Sequence, residues 1–149
     1  MEQKHIMLVD DSATMRLIIR NLLSSDPSLR VVESVENGEK ALQVLASVHP
    51  DLIVLDLEMP KMDGLEFLRQ ARSKTPAKIL ILSSAVPAGS PKAAQARSLG
   101  ADAIISKPSG TISYDLKEAR GSELFTTIYR LLGLKTPLVE KTLGVPLGM

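Results

Sequence analysis

Five short strand-like runs, each followed by apolar residues at helical spacing, constrain this chain more than any other feature of its sequence. The runs are Ile6 to Val9, Arg30 to Val35, Leu52 to Leu55, Lys78 to Leu82 and Ala101 to Ser106. Most are apolar at nearly every position, as expected of strands buried on both faces, and Val31 and Val32 bring β-branched residues to the second. Between them the apolar positions change period. Met15, Ile18, Ile19 and Leu22 form one stripe; Ala41, Val44, Leu45 and Val48 form another; Leu65, Phe67 and Leu68 mark a third. A fourth helical segment runs to Leu99 and is closed by Gly100, and Leu124, Phe125, Ile128, Leu131 and Leu132 mark a fifth. Ser12 stands where the first helix needs an N-cap, and Asp26-Pro27, Asn37-Gly38 and Asp63-Gly64 supply breaks. Alternating strands and helices of this kind predict an α/β fold: five βα units, a parallel sheet with helices on both faces, and right-handed crossovers.

A length of 149 residues suggests one domain, and 44% hydrophobic against 23% charged residues is enough to bury a core. Pro108 to Gly121 is long for a βα connection, and Lys135 to Met149, with its Pro and Gly, reads as a tail or linker. The composition excludes several kinds of function. Without Cys there is no disulfide, thiolate nucleophile or Cys-ligated metal. A net charge of +1 and 3% aromatics favour neither a nucleic-acid partner nor a membrane surface. Met1 to His5 does not have the form of a signal peptide, and no apolar run has the length of a membrane span; a cytoplasmic chain is expected.

Ligands of open α/β sheets bind at the carboxyl ends of the strands, so the residues ending each run matter most. The first ends in Asp10-Asp11, the third in Asp56, the fourth in Ser83-Ser84 and the fifth in Lys107-Pro108. Three carboxylates in one place repel and need a cation. Mg²⁺ suits them, because it takes oxygen ligands and is held by one or two carboxylates plus a phosphate. An Asp carboxylate is also a nucleophile that can form an aspartyl phosphate. A Lys and a hydroxyl can then meet the charge on the phosphoryl oxygens. Gly38 and Gly64 stand alone, so a glycine-rich nucleotide loop is not expected.

These same residues carry a family resemblance. MLVDDSATMR at 7–16, DLIVLDLEMPKMDGLEFL at 51–68, ILILSS at 79–84 and LGADAIISKPSG at 99–110 together resemble a response-regulator receiver domain. The resemblance spans about residues 4–133 and leaves 134–149 as a tail or the start of an interdomain linker. It implies a flavodoxin-like, doubly wound five-stranded parallel sheet in the order 2-1-3-4-5 with five helices. It implies that Asp56 is the phosphoacceptor, that Asp10 and Asp11 with Asp56 and the Glu58 backbone carbonyl hold Mg²⁺, and that Lys107 contacts the phosphoryl group. Ser83 matches the switch hydroxyl, with Ser84 as the alternative, and Pro108 resembles the residue after a cis Lys-Pro bond. The implied partners are a histidine kinase and an effector domain or downstream protein reached through the face of the fourth helix, fifth strand and fifth helix. Ser83-Ser84 and the stretch at 107–113 resemble most the N-terminal receiver of chemotaxis protein-glutamate methylesterases, although no G-x-S-x-G elbow is present. One position departs from the family pattern: Ile104 stands where an aromatic is usual, three residues before Lys107.

Blander roles stand beside these. Paired acids at a helix start favour the helix dipole by themselves. Met15, Met59 and Met62 are expected to pack; His5 and His49 are isolated; and Arg16 and Arg20, one turn apart, are expected on a solvated helix face. Two rival functions use the same residues. A metal-dependent phosphatase would employ Glu58, two residues after Asp56, as acid/base, but the MPKMDG continuation and the lack of a cap domain argue against it. An interaction domain that is never phosphorylated would not need the acid cluster.

Overall fold

The computed structural model describes residues 3–57, 59, 64–83, 91–106 and 121–134. The chain divides into two compact units, 1–107 and 108–149. The first unit holds β1 (Lys4–Val9), α1 (Ala13–Ser24), β2 (Leu29–Val35), α2 (Gly38–Leu45), β3 (Leu52–Asp56), α3 (Gly64–Ala71), β4 (Lys78–Ser83), α4 (Pro91–Ser98) and β5 (Ala103–Ser106). The second unit contributes α5 (Gly121–Leu132), an amphipathic helix that buries Leu124, Ile128 and Tyr129.

All five strands are parallel and lie in the order β2-β1-β3-β4-β5. The fold is therefore the flavodoxin-like one expected. β1 and β3 are neighbours at the centre, and their apolar runs are buried throughout: Ile6 to Val9 and Leu52 to Leu55 are each at most 2% exposed. Strand residues alternate between the two faces. Met7, Val9, Ile53, Leu55, Ile79, Ile81 and Ile104 join one cluster with Phe67 and Leu68 of α3, Ala41 and Leu45 of α2, and Ala93 and Ala96 of α4. On the other side α1 packs on β1 and β2 and buries Met15, Ile19 and Leu23.

The expected boundaries shift where a local interaction overrides the apolar pattern. Ile6 pairs with Val31 and Met7 with Glu33, so Val32 is an extra residue bulged out of the ladder. α2 stops at Leu45, short of Val48. The fifth strand begins at Ala103 rather than Ala101, because the α4–β5 corner uses Gly100 at φ +116°. Asp102 closes that corner by accepting from the Ile79 amide at 2.8 Å and donating its own amide to the Ile79 carbonyl at 2.8 Å. Arg72 ties in the neighbouring loop, donating to the carbonyls of Gly100 (2.9 Å), Thr75 (2.9 Å) and Ala77 (2.5 Å).

Candidate functional site

A parallel sheet brings the carboxyl ends of its strands to one edge, and this order puts the ends of β1 and β3 side by side. Asp10 directly follows β1, Asp56 is the last residue of β3 and Ser83 the last of β4. All three are buried, at 4%, 2% and 1% exposure, while Asp11 is exposed. One carboxylate oxygen from each of Asp10, Asp11 and Asp56 lies within 4.8 Å of the other two. At that separation two like charges repel by on the order of 3 kcal/mol for an effective dielectric near 20. Three carboxylates converging on one point, two of them buried, are costly without a compensating cation. The donors are all hard oxygens, which fits Mg²⁺ and not a soft metal.

The backbone around the cluster is held tightly. The Asp10 amide donates to the Val35 carbonyl at 3.1 Å, which ties it to β2. Its Oδ1 accepts from the Ser12 amide at 2.8 Å. Ser12 in turn caps α1, its hydroxyl accepting from the Met15 amide at 3.1 Å. Arg16 Nη1 donates to the Asp10 carbonyl at 2.6 Å. On the β3 side, the Leu57 amide donates to the Leu82 carbonyl at 3.2 Å, and the Gly64 amide returns to the Leu57 carbonyl at 2.9 Å. A Cβ on Gly64 would stand 2.7 Å from the Leu57 Cα and 2.9 Å from the Asp56 carbonyl oxygen. Only glycine lets α3 start this close to the end of β3.

The structure thus brings Asp10, Asp11 and Asp56 together. Ser83 lies on the adjoining strand, where Asp56 pairs with Leu82 and Ser83 with Ser106. Glu58, Ser84, Lys107 and Pro108 lie outside the described residues. Ile104 is a core residue, 8% exposed, paired with Ile81 and packed in the cluster beneath α2, α3 and α4. One expectation changes: Arg16 is only half exposed and bonds to the Asp10 backbone, whereas Arg20 is exposed. Its proximity to the acid pair was hinted at only by its place in the first turn of a helix that starts right after those acids.

The chain belongs to the response regulator receiver domain family, whose model matches residues 6–129. Its relatives include protein-glutamate methylesterases. The protein-glutamate methylesterase/protein-glutamine glutaminase of Halalkalibacterium halodurans is 47% identical over 115 residues, covering 77% of this chain and 33% of that protein. That of Oceanobacillus iheyensis is 42% identical over 117 residues, covering 78% and 33%. The chain therefore spans about a third of the length of these relatives. Among solved structures, the response regulator domain of Thermotoga maritima CheB superposes with a TM-score of 0.81 at 30% identity, covering 90% of this chain and 99% of that one. CheY6 of R. sphaeroides, crystallised with the P1 domain of CheA3, is represented by a match with a TM-score of 0.66 at 46% identity, covering 85% and 99%. The matched region is a receiver of two-component signalling. Among the described residues no helix is long and apolar enough to cross a membrane.

Proposed function

We propose that Asp56 accepts a phosphoryl group from a phosphohistidine of a histidine kinase and so switches the chain's interactions in chemotaxis signalling. The observation that carries this reading is the convergence of the Asp10, Asp11 and Asp56 carboxylates at the ends of β1 and β3. An Asp56 carboxylate oxygen attacks phosphorus as the P–N bond breaks. The electron pair of that bond goes to the imidazole nitrogen, which takes up a proton, and the product is an aspartyl phosphate. Asp10, Asp11, Asp56 and the Glu58 backbone carbonyl would hold Mg²⁺, which when bound meets the charge of the phosphoryl oxygens. Lys107 is assigned to contact the same oxygens and Ser83 to donate its hydroxyl to them.

Phosphorylation adds a charge of about −1.5 to −2 and new acceptor oxygens. Drawing Ser83 and Lys107 toward those oxygens biases the chain after β4 and the surface of α4 and β5 between two states. That surface is assigned to an effector domain or a downstream protein. With Ile104 in the core, the report of phosphorylation passes through backbone and loop rather than through an aromatic side chain at that position. The complex of CheA3 P1 with CheY6 supports a kinase phosphodonor domain as partner, and the cytoplasm is the proposed compartment in which the two meet. Transfer is tested with a radiolabelled phosphohistidine donor domain and Mg²⁺. Label is expected on the wild-type chain and absent from Asp56→Asn; equal labelling of the variant sinks the assignment.

A further inference from the structure

Arg16 reaches back from the first turn of α1 to the carbonyl that joins Asp10 to Asp11. That carbonyl belongs to the peptide plane between the two acids, so fixing it also fixes the Asp11 Cα and narrows the directions open to the Asp11 side chain. Asp10 has other anchors: its amide on Val35, its carboxylate on the Ser12 amide, and burial. Asp11 is exposed and gains no such hold from burial. A guanidinium bond to a carbonyl is charge-assisted. The Arg16 backbone is itself fixed, because its amide donates to the Ser12 carbonyl at 3.0 Å and so belongs to the capped turn that starts α1.

We propose that Arg16 is a positioning residue for the acid site: its guanidinium locks the Asp10–Asp11 peptide plane, so that both carboxylates are aimed at Asp56 before a cation or a phosphodonor arrives. This rests on the phosphoacceptor reading for its consequence in phosphotransfer, but the preorganisation itself belongs to the metal-free protein. Groups that orient metal ligands in this way cost about 10–100-fold in metal affinity when removed.

The test compares Arg16→Met, Arg16→Lys and wild type with Ile19→Val, a buried change on the same helix that trims the core instead. Mg²⁺ affinity is read by calorimetry, amide exchange over residues 10–16 in the metal-free protein, and phosphorylation with both acetyl phosphate and a phosphohistidine domain. Arg16→Met is expected to weaken Mg²⁺ binding about tenfold, to speed exchange of the Ser12 amide and to slow both donors alike. Arg16→Lys, which keeps the charge, is expected to recover part of the affinity, and Ile19→Val to lower the melting temperature with Mg²⁺ affinity unchanged. Wild-type Mg²⁺ affinity in Arg16→Met overturns the proposal. So does a loss confined to the protein donor, which makes Arg16 a docking residue in the groove it lines with Ala13, Leu17, Arg20 and Ser34. Should Arg16→Met not fold, Arg16→Gln is read in its place, with a weakening of about threefold or more expected for a neutral donor and wild-type affinity overturning. A wild-type chain that neither binds Mg²⁺ nor takes label contradicts the phosphoacceptor reading itself; a normal wild type with unaltered Arg16 variants contradicts the positioning role alone.

Discussion

At the scale of single residues, the site is a set of acids placed where they repel. Asp10 and Asp56 are buried beside one another and beside Asp11, an arrangement compatible with a cation site. The consequence has a definite sign. Asp10→Asn removes one charge, yet its side-chain oxygen can still accept from the Ser12 amide. In EDTA this variant is expected to melt several degrees above wild type, about 2–8 °C for a gain near 1 kcal/mol, while Mg²⁺ raises its melting temperature far less than that of wild type. Thermal denaturation with and without Mg²⁺ decides it, and an unchanged response to Mg²⁺ contradicts the assigned ligand role. The acids were legible in the sequence because they stand at the ends of two buried strands within one joint pattern, DD with DLEMPKMDG and KP, although each alone has a blander use at a helix start or strand end. Arg16 was not, because its bond to a backbone carbonyl depends on helix phase and on the path of the β1–α1 turn rather than on residue type.

At the scale of elements, a strand with apolar residues on both faces and a helix with one apolar stripe were readable from periodicity alone, and β1, β3, β4 and α1 lie where it put them. The misplaced edges are where side-chain bonds decide. The bulge at Val32 and the start of β5 come from local register and from the Asp102 and Arg72 bonds, which no hydrophobic pattern encodes. Two outcomes belong here. Ile53→Ala, in the fully buried centre of β3, is expected to cost about 2–5 kcal/mol in urea denaturation, through lost transfer energy and the cavity left behind. Arg72→Met leaves the carbonyls of Gly100, Thr75 and Ala77 without that donor and takes the Arg72 guanidinium from 3.7 Å of the Asp102 carboxylate. It is expected to cost about 2–3 kcal/mol, with Mg²⁺ affinity unchanged because these bonds lie at the other end of β4 from Ser83. A loss under about 0.5 kcal/mol contradicts the clamp, since that is the size expected of an ordinary surface substitution.

At the scale of the whole molecule, the strand order makes the site. With β1 between β2 and β3, residues remote in sequence meet at the point where the direction of winding reverses, and Asp10, Asp11 and Asp56 converge there. Periodicity predicts a parallel sheet but does not choose among strand orders, because every buried strand looks alike to it; the order was legible only through the joint DD, DLEMPKMDG and KP pattern shared with receivers. Asp56 is the proposed site of phosphorylation, and intact-mass spectrometry followed by peptide mapping after treatment with acetyl phosphate locates the modified residue. A single phosphoryl adduct is expected that requires Mg²⁺, is suppressed by EDTA, maps to the peptide carrying Asp56 and is absent from Asp56→Asn. An adduct that persists in that variant, or that maps to Asp10 or Asp11 in the wild type, would contradict it.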